Sequence, residues 1–550
     1  MASSRTGGQI LVGGLLAQGC DRIFTVPGES FLAVLDALHD IAEIDLIVAR
    51  QEGGAGFMAV ADGMMTGRPG IAFVTRGPGA TNASIGVHVA MQDSVPMILF
   101  IGDVPRAVRD REGFQEIDFP AMFAPMAKWA ARIEDPARIP EYLARAYAVA
   151  MAGRPGPVVL ALPEDMLTSP AEVIDRPRVE RPAQVPDPGA MGVLFDLLHD
   201  AAAPLAIVGG ADWDACAATH FAEFAEGIGL PVAVAFRRQD AIPNSCPVYA
   251  GNLGYGPNPL LVERVKNADL LLVVGARLGE ATTDGYTLVT PEHPGQILVH
   301  VHPDAAELGR VYRTDLPICA DMHEFAEMAN EWEIDLIPFA DGAQAHREWL
   351  AWSTPQPTGA KLDLALCVAT MREKLPPDSI ICNGAGNFSS WWHRYWPYAG
   401  PVSQLAPTAG AMGFGLPAAV AAALRQPHRQ VIALAGDGDF LMNGQEMATA
   451  VRHGLKMLVI VIDNGSYGTI RMHQERRYPG RVSGTDLANP DFASLARAFG
   501  AWAETVDTTE AFAPALERAQ KQAGIALLHL KTDIEHITPA ATVSEIRATR

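Results

Sequence analysis

The stretch from Val431 to Asn464 constrains this chain more than any other. Val431 to Ala435 is short, apolar and rich in β-favouring residues, the pattern of a strand buried on both faces of a parallel sheet, and it runs into Gly436-Asp437-Gly438. A second apolar run, Met457 to Ile462, ends in Asp463-Asn464. Between them, Asn443 with Glu446 has the form of a capping box. This predicts a helix from Gly444 to about His453, with its amino terminus facing a phosphate and Gly454 closing it. A strand–helix–strand unit returns both strand ends to one edge of the sheet. Asp437 and Asn464 are therefore expected side by side where open α/β sheets bind ligands.

A carboxylate beside an amide oxygen suits magnesium, which takes near-octahedral oxygen ligands and combines one or two carboxylates with the phosphates of a ligand. Alone, Gly-Asp-Gly is as readily a plain turn; the second strand end and its separation favour a site. Gly436-Asp437-Gly438-Asp439 with Asn464-Gly465-Ser466-Tyr467-Gly468 resembles the diphosphate and magnesium motif of thiamine-diphosphate enzymes. The resemblance implies Asp437, the Asn464 side-chain oxygen and the Ser466 backbone carbonyl as metal ligands, with Gly436, Gly438, Asp439, Tyr467 and Gly468 around the diphosphate. One position departs from it: Asp463 stands where the motif usually has asparagine.

A chain of 550 residues is too long for one hydrophobic core, and alternating strand and helix patterns divide it into three. Strand-like runs at Leu46–Ala49, Ile71–Thr75, Met97–Ile101 and Val158–Leu162 mark a first parallel α/β domain over 1–180, opened by a helix at Ile10 to Ala17. Pro170, Pro177, Pro182, Pro186 and Pro188 read as a semi-rigid linker. A central domain, 190–335, carries runs at Leu205–Val208, Val232–Ala235, Leu270–Val274 and Ile297–Val301. A second linker is expected around Pro338 to Ala360, before a third domain over 360–535. The fold class is thus α/β, with three doubly wound parallel-sheet domains. The outer two are candidates for a shared fold.

The net charge of −21 and the lack of a basic cluster argue against nucleic-acid or anionic-membrane partners. No apolar run approaches the ~18 residues of a transmembrane helix. The six cysteines are scattered without Cys-x-x-Cys spacing, which indicates neither zinc nor a disulfide framework and fits a reducing cytoplasm.

The resemblance extends along almost the whole chain. Phe24-Thr25-Val26-Pro27-Gly28, Arg50-Gln51-Glu52-Gly53-Gly54 and Thr75-Arg76-Gly77-Pro78-Gly79-Ala80-Thr81-Asn82 are similar to the pyrimidine-binding domain of the acetolactate (acetohydroxyacid) synthase group. They imply Glu52 on the aminopyrimidine ring and Pro27, Gly28 and Asn82 nearby. Gly410-Ala411-Met412-Gly413 matches the segment whose methionine props the cofactor in a bent shape, so that Glu52 and the ring can remove the thiazolium C2 proton. Gly386, Asn387 and Phe388 stand near the diphosphate where synthases commonly have Gly-Gln-His.

Among candidate substrate residues, Phe114-Gln115-Glu116 matches the synthase Phe-Gln-Glu, Lys128 a synthase active-site lysine and Arg277 the arginine for a second keto acid's carboxylate. His473, in Arg471-Met472-His473-Gln474, occupies the place of the tryptophan that selects 2-ketobutyrate, which predicts a different acceptor pocket. Bound FAD is doubtful, since Arg277-Leu278-Gly279-Glu280 lacks the acidic-arginine continuation of flavin-containing synthases.

The function implied is a thiamine-diphosphate- and magnesium-dependent carboligase that decarboxylates a 2-keto acid such as pyruvate and adds the acyl anion to a second carbonyl. The alternatives are a benzaldehyde-lyase-like enzyme of aldehydes or 2-hydroxyketones and a simple 2-keto acid decarboxylase. The resemblance also implies a homodimer or homotetramer with cofactors held between chains, and leaves a regulatory subunit open.

Overall fold

The computed structural model describes residues 4–332 and 338–548. Three six-stranded sheets, parallel throughout, carry the architecture, with helices packed on their faces. The chain is α/β, as its patterning predicts. The expected end of the central domain at 335 lies outside the described residues.

The first sheet runs in the spatial order Asp45–Val48, Arg22–Thr25, Gly70–Val74, Met97–Asp103, Pro157–Pro163, Trp129–Arg132. The third runs Gln404–Leu405, Ile380–Asn383, Val431–Gly436, Leu458–Asp463, Ala526–Lys531, Trp502–Val506. Numbered within each domain, the two orders are the same, so the outer sheets share a topology. The central sheet runs Tyr249–Asn252, Val232–Val234, Pro204–Val208, Leu270–Val274, Ile297–His302, Leu316–Cys319. That is the doubly wound order in which the chain starts in the middle and winds outward both ways. Each sheet winds outward both ways from one pair of neighbouring strands, the sixth strand of the outer two turning back to lie between the fourth and fifth, and the crevice outside the carboxyl ends of that pair is where such folds take ligands.

By internal contacts the chain forms two compact units. One comprises Met1–Pro182, Ala409–Pro427 and Leu441–Leu455, and the other Ala183–Thr408, His428–Phe440 and Lys456–Arg550. Within the first, helix Gly415–Arg425 packs on helix Glu52–Thr66, with the Phe57 and Phe414 rings edge to face at 5.3 Å. Arg425, at the end of its helix, donates from Nε and Nη2 to Asp62 at 2.9 Å each and from Nη2 to Asp21 at 3.0 Å. Asp62 is buried, and its burial pushes the carboxyl up while the guanidinium draws it back down. A buried carboxylate of this kind is tolerable only with its partner in place. Within the second unit, Asn244 and Tyr398 exchange main-chain and side-chain hydrogen bonds at 2.9 and 2.8 Å, and Gln239 N donates to Gln404 Oε1 at 3.0 Å. These join the central sheet's loops to the third sheet's first strands.

Three local expectations are corrected. The first expected linker begins with a strand, Pro170–Glu172, paired antiparallel with Ser4–Thr6. The second contains a helix, Asp341–Trp352, because Ala345 and Trp349, one turn apart, bury against strand Tyr249–Asn252, the Trp349 ring meeting Tyr249 at 4.8 Å. The third correction bears on the site. The helix after Gly436 starts at once, at Asp437–Asn443, continues as a 3-10 turn at Gly444–Glu446 and ends as Met447–Arg452. No capping box forms: Asn443 makes no cap bond but donates to Gly413 O at 3.0 Å, and the Glu446 carboxylate turns to another segment. Gly454 closes the helix as expected, at φ 60°.

Candidate functional site

The residues expected at the diphosphate lie in the second unit, and their placement follows from strand register. Gly436 pairs with Ile462 across the parallel strands Val431–Gly436 and Leu458–Asp463, so Asp437 and Asp463 leave the sheet side by side. Asp437 is 3% exposed. Its Oδ1 accepts from Gly438 N at 3.0 Å and its Oδ2 from Asn489 Nδ2 at 2.7 Å. The same Asn489 nitrogen donates to Asp463 Oδ1 at 2.8 Å, tying the two carboxylates together.

Asp463 is neutralised from the next strand. Asp463 pairs with Lys531 and Val461 with His529, and side chains two apart share a face, so both basic groups reach it. Lys531 Nζ lies 2.7 Å and His529 Nε2 2.9 Å from Asp463 Oδ2, while Gly465 N donates to Oδ1 at 3.1 Å. These contacts hold the Asp463 carboxyl well below the usual range despite its burial. Burial first, and then the neighbouring Asp463 charge, push Asp437 up, against the bonds from Asn489 and Gly438. Every acceptor direction of Asp463 is thus used by the protein. The position where the motif has asparagine carries a charge with its own counter-ion, Lys531.

Asn464 follows, its Oδ1 accepting from Ser466 N at 3.0 Å, and the segment is backed by Thr485: Tyr467 N and Ser466 Oγ both donate to Thr485 O at 2.9 Å. A Cβ on Gly438 would come within 2.5 Å of the Tyr467 ring, so the Gly-Asp-Gly turn and the Asn464 loop fit only with glycine there. The expected ligand set is all oxygen: the Asp437 carboxylate, the Asn464 amide oxygen and the Ser466 carbonyl. That chemistry fits magnesium and would leave the remaining positions to phosphate and water. Across the reversal point, Gly386-Asn387-Phe388 follows strand Ile380–Asn383. Asn387 N donates to Thr469 Oγ1 at 3.0 Å, and the Phe388 ring would meet a Cβ on Gly436 at 3.0 Å. Gly384 abuts Asp439, whose Oδ1 accepts from Ala385 N at 3.1 Å.

The residues expected at the pyrimidine lie in the first unit. Glu52 opens helix Glu52–Thr66 directly after strand Asp45–Val48, is half-buried, and accepts from Asn82 Nδ2 at 2.9 Å. Pro27-Gly28 leaves the neighbouring strand Arg22–Thr25, and the chain from Thr75 to Gly77 leaves the next, Gly70–Val74. These segments flank the reversal point of the first sheet. A Cβ on Gly28 would run into Thr75, which accounts for the glycine. In the same unit, Gly410 takes φ 69° with open space around it, and Met412 is half-buried.

The substrate candidates fare unequally. Gln115 sits at φ 65° and its carbonyl accepts from Gly77 N at 3.0 Å, which fastens the Phe114-Gln115 loop to the Thr75–Gly77 turn; Phe114 is 73% exposed. Lys128 Nζ donates to the carbonyls of Ala152 and Arg154 at 2.6 and 2.8 Å, at the carboxyl end of helix Ile139–Met151. In the second unit, Arg277 is half-buried just beyond strand Leu270–Val274, and His473 is exposed on helix Gly468–Arg477, beside the buried Met472. Asn489, His529 and Lys531 were not legible as site residues. Asn489-Pro490-Asp491 reads as a helix start, which it also is: Asp491 caps helix Phe492–Ala498.

The central sheet's reversal point is lined by glycine main chain. Gly209-Gly210 and Gly275 pack main chain on main chain, so that a Cβ on Gly210 would overlap the Gly275 carbonyl, and the buried Trp213 donates from Nε1 to Gly209 O at 2.8 Å. Among the described residues no three His, Cys, Asp or Glu side chains converge as a metal cluster, and no helix is long and apolar enough to cross a membrane.

Comparison with known proteins gives three family matches. The thiamine pyrophosphate enzyme N-terminal TPP binding domain matches residues 5–122, its central domain 192–328 and its C-terminal TPP binding domain 384–530. Similar proteins include the acetolactate synthase large subunit of Corynebacterium glutamicum, 30% identical over 94% of this chain and 85% of the relative. That of Parasynechococcus marenigrum is 33% identical over 90% and 82%. The acetolactate synthase isozyme 2 large subunit of Escherichia coli is 28% identical over 97% of both chains.

The raised Asp437 carboxyl has a thermodynamic consequence for the metal-free protein. A carboxylate whose folded pKa exceeds its unfolded value costs stability above the folded pKa, and the cost is relieved as pH falls toward the ordinary range near ~4. Asp437→Asn is therefore expected to stabilise the metal-free protein at pH 7.5 by on the order of 1–3 kcal/mol, with the gain fading toward pH 4. Urea denaturation at several pH values in a chelator measures it. A variant no more stable than wild type at pH 7.5 would show that Asp437 carries no such cost.

Proposed function

This chain belongs to the thiamine pyrophosphate enzyme family, and we propose from that premise that it is an acetolactate-synthase-like carboligase. It decarboxylates a 2-keto acid such as pyruvate and adds the acyl anion to a second carbonyl. The observation that carries this reading is the length of the likeness: relatives named acetolactate synthase align with 90% or more of the chain, and the residues at its strand ends keep the chemistry the cofactor needs.

Bound thiamine diphosphate supplies an electron sink for the carbanion left when a 2-keto acid loses carbon dioxide. The protein's part is to hold it. Asp437, the Asn464 amide oxygen and the Ser466 carbonyl would hold magnesium beside the diphosphate. The turns at Gly436–Gly438 and Gly386–Phe388 receive the phosphates. Glu52 would hydrogen-bond the pyrimidine ring and exchange a proton with it, with Asn82 keeping its side chain in place, and Met412 would set the bend of the cofactor. Arg277 is the group for the acceptor's carboxylate, and His473, in place of a tryptophan, gives the acceptor side a polar lining.

Glu52→Gln is expected to slow hydrogen–deuterium exchange at C2 of the bound cofactor by about 100-fold or more, the scale of a lost general acid–base group. Diphosphate binding should stay within about threefold of wild type, because Glu52 takes no part in holding the metal. Nuclear magnetic resonance after acid quench reads the exchange. An unchanged rate would remove Glu52 from this role.

The active unit in this reading is at least a homodimer, each cofactor held at its pyrimidine end by Glu52 of one chain and at its diphosphate end by Asp437 of another. Mixed dimers of Glu52→Gln and Asp437→Ala chains then contain one intact site and one doubly damaged site. Purified through two different tags, they should recover a substantial part of the activity that both parents lack. Inactive mixed dimers of folded chains would place each site within a single chain.

A further inference from the structure

Glu446 is wholly buried, and no step described so far uses it. Its Oε1 accepts from Arg50 N at 3.0 Å and from Gln51 N at 3.1 Å, and its Oε2 from Arg50 N at 3.2 Å and from the Thr449 hydroxyl at 2.7 Å. Arg50 and Gln51 form the turn between strand Asp45–Val48 and helix Glu52–Thr66, and Gln51 is the residue that caps that helix. We propose that Glu446 is a positioning residue for Glu52: its carboxylate clamps the two amides that precede Glu52 and so fixes where the Glu52 side chain starts.

Gly54 supports this independently. A Cβ there would stand 2.6 Å from Glu446 Oε1 and 2.9 Å from its carboxyl carbon. The first turn of the helix is thus bare where the carboxylate enters. Glycine inside a helix costs about 1 kcal/mol against alanine, and admission of the carboxylate accounts for its presence. Gln51 Oε1 meanwhile accepts from Gly54 N at 3.1 Å, so the cap and the clamp act on the same turn from two sides. Burial pushes the Glu446 carboxyl up, against the pull of Thr449 and the two amides, which is the cost of placing an acceptor of this strength there. A neutral loop would need no such group. A reacting carboxylate does, because displacement of a catalytic group by about 1 Å costs on the order of 100-fold in rate.

The inference rests on the reading of Glu52 as the group at the pyrimidine, and the test separates the two. Full-length Glu446→Ala, Glu446→Gln, Gly54→Ala and Glu52→Gln are each loaded with thiamine diphosphate and magnesium. For each, C2 hydrogen–deuterium exchange, cofactor affinity and the kcat and KM for pyruvate are measured. Glu446→Ala and Gly54→Ala are expected to slow exchange and kcat by about 100-fold, with KM and cofactor affinity within about threefold. Glu446→Gln, which keeps an acceptor for the amides, should recover about tenfold of that loss. If Glu446→Ala does not fold, Gly54→Ala, which keeps the carboxylate and displaces it, decides. Wild-type exchange in a folded Glu446→Ala or Gly54→Ala, beside a slowed Glu52→Gln, overturns the positioning role alone. Wild-type exchange in Glu52→Gln overturns the reading of Glu52 itself.

Discussion

Two buried carboxylates, Asp437 and Asp463, leave the ends of adjacent parallel strands, and the fit of everything around them depends on how that pair is neutralised. Like charges this close in a poorly solvated place repel strongly unless each has a partner. The sheet supplies the partners by register. Lys531 and His529 arrive from the neighbouring strand on the face that meets Asp463, and Asn489 bridges the two carboxylates with one nitrogen. Asp463 spends all its acceptor directions on these groups and on Gly465 N, so in the proposed function a divalent cation would be left to Asp437 and to the oxygens of Asn464 and Ser466. A departure from the family's usual asparagine thus leaves the ligand chemistry of the metal site as it was.

The same logic of strand ends organises the first sheet. Its reversal point is flanked by Pro27-Gly28 and Thr75–Gly77, with Glu52 on the adjoining strand end, just as the third sheet's is flanked by Gly386–Phe388 and Asp437. The two outer sheets, alike in strand order, present different chemistry at the same place: a carboxylate with an amide partner in one, a bridged carboxylate pair among glycine turns in the other. In the central sheet glycine main chain packs on glycine main chain at the corresponding place, with Trp213 bonded to Gly209 O.

Much of this was legible in the residues. Buried parallel strands announce themselves as short apolar runs, and those at Val431, Met457, Leu270 and Met97 stand within a residue or two of their expected ends. Glycines at strand ends marked the turns. Where reading failed, tertiary contact had overridden a local signal. Asn443 and Glu446 have the spacing of a capping box, but Asn443 is drawn to Gly413 and Glu446 to the turn before Glu52, far away in sequence. Proline flanks hid the helix Asp341–Trp352, whose Trp349 finds its partner on a distant strand. Asn489, His529 and Lys531 were invisible as site residues because only the pairing of strands brings them to Asp463. Lys128 matched a motif, and its ammonium is engaged with two carbonyls at the end of a helix.

The central claim is that this chain is built to hold thiamine diphosphate through a metal. The direct measurement is a calorimetric titration of the metal-free protein with thiamine diphosphate, with and without magnesium, on wild type and Asp437→Ala. The account predicts one cofactor bound per chain, with an affinity raised at least tenfold by magnesium in wild type and unaffected by it in the variant, a difference of about 1.4 kcal/mol or more. Binding equally tight without metal, or equally metal-dependent after Asp437 is removed, would contradict it.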